Sequence, residues 1–251
     1  MKKTFIAMMA LAGMASATTF TMEDLLESAT IGTGVVKDKT YAGCVYTFNG
    51  QGAITNISDS DAIAALSGTS GFVTIAAWVN QTEGSEDAIF SVGGQNDGFK
   101  FALKGDNLQV TTKGVKDTTT GVAVAQGTLD KPVWTLVAVT IDLDKNGSDS
   151  VFYVGADGYT SLTTSDGWAL GSWNSFSTNT IAIGSGNGNG DRDLFEGQIA
   201  NLTFFTSETA PTAASIQQLM GNTAPVTIPE PTTATLSLLA LAGLAARRRR
   251  R

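Results

Sequence analysis

The sequence predicts an all-β fold, two antiparallel sheets packed face to face with short helices at their periphery, and three observations predict it. Between about residues 18 and 228, short runs of β-branched and aromatic residues alternate with polar ones, and Gly, Asn and Asp clusters separate them at hairpin spacing. Helix signals are confined to three short stretches. The span of some two hundred residues is long enough for one all-β domain with its own core, and two packed sheets are the natural way to bury so many strands.

The chain opens MKKTFIAMMALAGMASATTF. Lys2 and Lys3 precede an apolar stretch from Thr4 to Met14, and Ala15-Ser16-Ala17 supplies the small-x-small pattern of a secretory signal, so signal peptidase is expected to cut after Ala17. TMEDLLES follows as a short helix with Thr21 and Asp24 spaced as an approximate capping box, and DSDAIAAL is a second helical stretch. In FVTIAAWVN, Phe72, Thr74, Ala76 and Trp78 fall on one face and Val73, Ile75, Ala77 and Val79 on the other. That is the pattern of a central strand covered on both sides.

DAIFSVGG, GFKFALKG and LQVTTKG read as strands, each closed by a turn glycine. VWTLVAVTIDL, from Val133 to Leu143, reads as the longest apolar strand. Its partner DSVFYVGADG is reached across DKNGSD, where Asn146-Gly147 signals a hairpin because type I′ turns need positive φ. NTIAIGSG and LFEGQIANLTFFTS supply the last strands, and PTAASIQQLMG a helix with Pro211 near its start and Gly221 as its stop.

The chain closes VTIPEPTTATLSLLALAGLAARRRRR. From Ala234 to Ala246 it is apolar apart from Thr235 and Ser237, thirteen residues where a bilayer crossing takes about 20. The segment is thus a marginal, transient inner-membrane anchor, with Arg247 to Arg251 held on the cytoplasmic side. Pro229-Glu230-Pro231, a spacer, a short Leu/Ala/Gly helix and a terminal arginine cluster, in that order, resemble a PEP-CTERM sorting signal. The resemblance implies recognition by an exosortase and delivery to the envelope or extracellular polymer matrix. The expected organisation is a signal peptide over 1–17, one domain over 18–228 with its core at about 46–220, and a sorting signal over 229–251.

Without the two signals, the domain carries nine basic against twenty-two acidic residues, a net charge of −13. Such a surface repels phosphate backbones, so no nucleic-acid partner is expected. Cys44 is the only cysteine, so the domain has no internal disulfide. The absence of histidine removes His-ligated zinc, Ser-His-Asp and Cys-His nucleophile systems, and the commonest general base near neutral pH.

The strand succession resembles the laminin G-like, or concanavalin A-like, jelly-roll domains of bacterial surface proteins. YTFNGQGAI, FVTIAAWVN, IFSVGG, VWTLVAVTID, VFYVGADG, IAIGSG and FEGQIANLTFF occur in family order, with a helix after the last strand, from Tyr46 to Met220. The resemblance implies a jelly-roll sandwich, and a fold that hosts sugar binding, protein adhesion and glycosidase activity alike. Glycosidases of this fold carry paired carboxylates, commonly Glu-x-Asp-x-x-Glu, and no such run is present. The nearest cluster, Glu83, Glu86 and Asp87, has the wrong spacing and reads as a solvated hairpin tip.

Asp142, Asp144 and Asn146 stand at alternating positions of a Ca²⁺ loop, but Tyr153 fills the twelfth position where an acidic ligand belongs, and a polar hairpin turn accounts for the same residues. GNGNGDRDLFEG offers Asp191, Asp193 and Glu196 as a second acidic loop. Ca²⁺ is the one cofactor that the resemblance implies, since laminin G-like domains often bind it at the sandwich rim. Trp78 and Trp134 sit inside apolar strands and are assigned to the core. Trp168 and Trp173 lie among Gly, Ser and Asn in SDGWALGSWNSFS; with Asn174 and Phe176 they form the candidate glycan platform, flat aromatic faces beside a polar group. The function expected is a non-enzymatic exported protein binding exopolysaccharide, another glycan or a surface protein. The alternatives are a glycan hydrolase or lyase of the same fold, or a purely structural matrix component.

Overall fold

The computed structural model describes residues 17–83, 86–93, 98–112, 115–144, 149–167 and 180–228, with the backbone alone over 115–122. The chain begins with β1 (Thr18–Thr21), α1 (Met22–Leu26), β2 (Thr30–Ile31), β3 (Val35–Lys37), β4 (Val45–Asn49), β5 (Ile54–Ile57) and α2 (Ser60–Leu66). It continues through β6 (Phe72–Gln81), β7 (Glu86–Val92), β8 (Phe99–Lys104), β9 (Asn107–Thr112) and β10 (Val115–Ala123). Then come β11 (Thr135–Asp142), β12 (Asp149–Ala156), β13 (Thr163–Asp166), β14 (Ile181–Ile183), β15 (Glu196–Ser207) and α3 (Ala213–Met220).

The strands form two antiparallel sheets. The first runs β13-β12-β11-β6-β15-β4-β3, and β1 joins it on β15; the second runs β10-β9-β8-β7-β14-β5-β2. β4 pairs with Glu196–Ala200 of β15 and β1 with its Thr203–Thr206 half. A register shift between Ala200 and Thr203, with Asn201 at φ 50, separates the two pairings. This is the all-β, two-sheet sandwich with short peripheral helices that the sequence predicts.

Alternation along the strands builds two apolar layers. Val73, Ile75, Ala77 and Val79 of β6 enter the core between the sheets, with Phe48, Phe90, Phe99, Phe101, Phe152, Phe195 and Phe204. Phe20 stacks on Phe204 with ring centroids 4.7 Å apart, so β1 closes this core with an aromatic face. Ala76 and Trp78 of the same strand enter a second cluster on the outer face of the first sheet, with Trp134, Leu136, Tyr153, Tyr159, Phe205 and Ile216. Trp78 and Trp134 are thus buried as expected, but outside the space between the sheets.

The second cluster is covered by α3. Thr212 caps its N-terminus, its hydroxyl accepting from the Ser215 N–H, and Gly221 ends it at φ 72. Tyr153 donates its hydroxyl to the Pro211 carbonyl (3.3 Å), while Trp78 Nε1 and Tyr159 donate to the carbonyls of Met220 (3.2 Å) and Gly221 (2.7 Å). The carbonyls that a helix C-terminus leaves over therefore find partners in the sheet beneath and in the turn that follows β12. In α1 the expected capping box is present: the Thr21 hydroxyl accepts from the Asp24 N–H and the Asp24 carboxylate from the Thr21 N–H.

Two expectations are corrected. VWTLVAVTIDL is not the longest strand: β15 has 12 residues and β6 has 10, against 8 in β11. The Val133 N–H donates to the Asn80 side chain (3.0 Å), outside the ladder, so β11 starts only at Thr135. Of the cluster expected at a solvated tip, Glu83 is exposed, but Glu86 and Asp87 do not lie at a tip. Both belong to β7, and Asp87 is fully buried, its Oδ2 accepting from Gln81 Nε2.

Candidate functional site

Because Phe99, Phe101 and Leu103 of β8 point into the core, Lys100 and Ala102 face outward from the second sheet. The register sets Ala182, Ser91, Lys100 and Thr111 side by side across β14, β7, β8 and β9, with Ala88, Ala102 and Gln109 in a neighbouring row. An outward row would ordinarily be wet, yet all of these side chains are buried, Lys100 to 8% exposure. The hydroxyls of Ser91 and Thr111, on either side of Lys100, have no hydrogen-bond partner among the described residues.

Lys100 is buried, while its two charge partners are each about a quarter exposed, so the pair of ion contacts lies at the rim of the buried row. Its Nζ lies 2.5 Å from Glu86 Oε1 and 2.6 Å from Asp193 Oδ2. Asp193 arrives on the loop between β14 and β15. That loop is organised around Asn187, whose Oδ1 accepts from the N–H groups of Gly190 and Asp191 and whose Nδ2 donates to Asp191. The loop is strapped to β7: Gly188 N–H donates to the Gly93 carbonyl and Ala88 N–H to that of Asp193. Gly186 permits the close approach, since a Cβ there would stand 2.6 Å from Asp193 Oδ2 and 3.1 Å from Lys100 Cδ. One ammonium thus contacts both carboxylates, whereas a retaining glycosidase needs acid and nucleophile about 5 Å apart with the scissile bond between them.

A second polar network crosses the outer face of the first sheet. Thr47, Gln198 and Asn80 are register partners on β4, β15 and β6. Gln198 donates to Asp38 and accepts from Asn80, which donates to the Thr128 carbonyl. Burial by itself would raise the Asp38 carboxyl, but the Thr40 hydroxyl and N–H, Gln198 and Thr47 all donate to it and hold it below the ordinary value. Elsewhere, an open recess of about 310 Å³ beside β12 and β13 is lined in part by Thr135, Tyr159, Ser161 and Thr163. Cys44 is buried, and burial pushes its thiol up to about 11.

Several sequence-derived site residues fall outside the described residues: Ala15, Asn146, Trp168, Trp173, Asn174, Phe176, Pro229, Glu230 and Pro231. Ala17 directly precedes β1. Asp142 ends β11 opposite Asp149, and Asp144 Oδ2 accepts from the Gly71 N–H (3.3 Å). The second acidic loop does not converge: Asp193 meets Lys100, Asp191 meets Asn187, and Glu196 stands in β15 against Gly50. Among the described residues no three His, Cys, Asp or Glu side chains could hold a metal ion together. No helix of the described residues is long and apolar enough to cross a membrane. Lys100 was not apparent as a site residue, because its burial depends on a loop more than ninety residues away.

No curated protein matches the chain. Among solved structures, a variant of the NanB sialidase from Streptococcus pneumoniae is similar at 16% identity and a TM-score of 0.50, over 77% of this chain and 29% of that one. Domain 4 of AbnA, an extracellular arabinanase from Geobacillus stearothermophilus solved with arabinotriose, aligns at 16% identity and 0.48, over 84% of this chain and 90% of that one. The CBM40 of the Ruminococcus gnavus IT-sialidase, bound to α2,6-sialyllactose, aligns at 14% identity and 0.48, over 77% and 98%. At these identities the likeness concerns the fold alone. Residues 48–217, most of the two sheets described above, match the Laminin_G_3 family, and the chain therefore belongs to the concanavalin A-like lectin/glucanases superfamily.

Proposed function

We propose that this is an exported, non-enzymatic glycan-binding protein of the bacterial envelope or extracellular matrix. The observation that carries the reading is membership of a lectin and glucanase superfamily by a chain whose Glu86 and Asp193 close on a lysine instead of facing each other across an open cleft. The platform is Trp168, Trp173, Asn174 and Phe176, whose flat rings suit the CH faces of sugars. They follow β13, the edge strand beside the hydroxyl-lined recess at Thr135, Ser161 and Thr163.

Delivery rests on the two ends. The signal peptide is removed after Ala17, and its proposed end is supported by β1 starting at Thr18. The tail pauses in the inner membrane through 234–246, and exosortase reads Pro229-Glu230-Pro231, whose prolines keep the backbone out of a helix and open to an active site. A glycan array probed with the secreted protein, together with a reducing-sugar assay on β-glucans and galactans, tests the binding reading. Binding without turnover is expected; turnover abolished by one Asp or Glu substitution would overturn it. For the tail, replacing Pro229-Glu230-Pro231 by three alanines in a host with the matching exosortase should leave the precursor at full length in the membrane. Equal processing of both forms would reduce the tail to an anchor.

A further inference from the structure

The position of Lys100 carries more than an ion pair. A primary amine, a short carboxylate and a second carboxylate meet at 2.5 and 2.6 Å, the amine buried and the two carboxylates about a quarter exposed, between sheet residues and a strapped loop. These are the parts of an amide-forming centre: a nucleophile, an electrophile and a proton carrier. We propose that Lys100 Nζ and Asp193 Cγ condense to an intramolecular amide, with Glu86 moving the protons.

The choice of Asp193 as acceptor follows from its fixation. Its carbonyl accepts from the Ala88 N–H (2.9 Å), its backbone is held at φ 44, and Gly186 packs against its carboxylate so closely that a Cβ would not fit. Glu86 has a longer side chain at the start of β7 and contacts the same nitrogen, which suits a shuttle.

The step balances without any other reagent. Glu86 takes one proton from the Lys100 ammonium and passes it to Asp193, giving an amine beside a carboxylic acid. The nitrogen lone pair attacks Cγ and forms the new C–N bond. A second proton then travels from nitrogen through Glu86 to the departing hydroxyl, the C–O bond breaks, and one water leaves. Nothing is oxidised or reduced, and Glu86 ends as it began. Water opposes condensation in free solution, but groups held in reacting contact reach effective molarities of about 10⁵–10⁸ M, far above that of the solvent.

The amide would join β8 to the β14–β15 loop, 93 residues apart in sequence, in a chain whose one cysteine is buried and unpaired. It would thus do the work of a missing disulfide, and reducing agents would not open it.

Intact-mass spectrometry of the purified full chain tests this, with termini fixed by peptide mapping. The expected mass is one water below that required by the sequence, and trypsin should leave a branched peptide joining the Lys100 and Asp193 segments. Lys100→Arg and Asp193→Ala should each restore the full mass, as should Glu86→Gln, which keeps both reacting groups. A parent protein at full mass and cleaved by trypsin after Lys100 would overturn the proposal, since that result needs no variant to fold. A branch to Glu86 in place of Asp193 would overturn the assigned roles.

Discussion

Removing the Trp78 side chain should show that the outer face of the first sheet is a second core rather than a decorated surface. Trp78 is fully buried, packs with Tyr159 at a centroid distance of 6.1 Å, and donates its indole N–H to the Met220 carbonyl at the end of α3. A buried Trp→Ala change costs about 3–5 kcal/mol, including the cavity it leaves. The lost hydrogen bond accounts for about 1 kcal/mol of that, because Met220 is only half-buried and water can reach its carbonyl. Against a total stability of about 5–15 kcal/mol, the loss is large. With a urea m-value of about 2.5 kcal/mol/M, the unfolding midpoint followed by far-UV circular dichroism should fall by about 1.5 M.

Ile216 is the buried residue of α3 and belongs to the same cluster, so Trp78→Ala and Ile216→Ala should be coupled by about 0.5–3 kcal/mol in a double-mutant cycle. Val226→Ala, at a residue 67% exposed, should stay within about 0.5 kcal/mol of the parent. A Trp78→Ala loss below about 1 kcal/mol, or strict additivity with Ile216→Ala, would refute the claim that α3 and the sheet share a core.

Other consequences are as direct. With its thiol pushed up to about 11 by burial, Cys44 should be inert to disulfide reagents at pH 8 in the native protein and react promptly in denaturant; equal rates in both states would contradict the burial. Asp38 is held below its ordinary value of 3.8, so its contribution is present above that pH and lost as pH falls through the lower folded value. The stability gap between parent and Asp38→Asn should therefore be widest near neutrality and close below pH 3.8, and a gap independent of pH would refute the network. Gly197 has φ 134, and a Cβ there would strike the Asn80 carbonyl oxygen in the neighbouring strand; Gly197→Ala should cost about 2–3 kcal/mol in a urea titration, and a neutral outcome would put the β6–β15 register in question.

Strands whose residues alternate between two buried layers were readable from the sequence. FVTIAAWVN announces a central strand because both of its faces are apolar, and β6 indeed sits between β11 and β15. The capping residues of α1 and the Pro211 and Gly221 limits of α3 were equally visible, since they act within a few residues of one another. β1, β2, β3, β10 and β13 were not picked out. Four of them have two to four residues, and β10 reads KDTTTG in its middle, too polar to signal burial. Their pairing comes from neighbours distant in sequence.

The same locality explains the errors around the candidate site. Glu83, Glu86 and Asp87 look like a turn tip by composition, and only the contacts of Gln81 with Asp87 and of Lys100 with Glu86 tie the last two into the fold, Asp87 buried and Glu86 about a quarter exposed. In GFKFALKG the alternation places Lys100 on the outward face correctly, but nothing in those eight residues says that a glycine-rich loop will lie over it. Asp191, Asp193 and Glu196 are near in sequence yet diverge, because Asn187 holds one, Lys100 another, and β15 carries the third into the first sheet.

The most direct measurement of the central claim is titration calorimetry of the secreted protein with the polysaccharide selected by the array, in parallel with Trp168→Ala and Trp173→Ala. The account predicts saturable binding by the parent and loss of about 1–3 kcal/mol or more in each variant, the scale of burying or losing one aromatic face, with circular dichroism and urea midpoints unchanged. Equal affinity in parent and folded variants would contradict the assigned platform, and the absence of any binding polysaccharide would contradict the function itself.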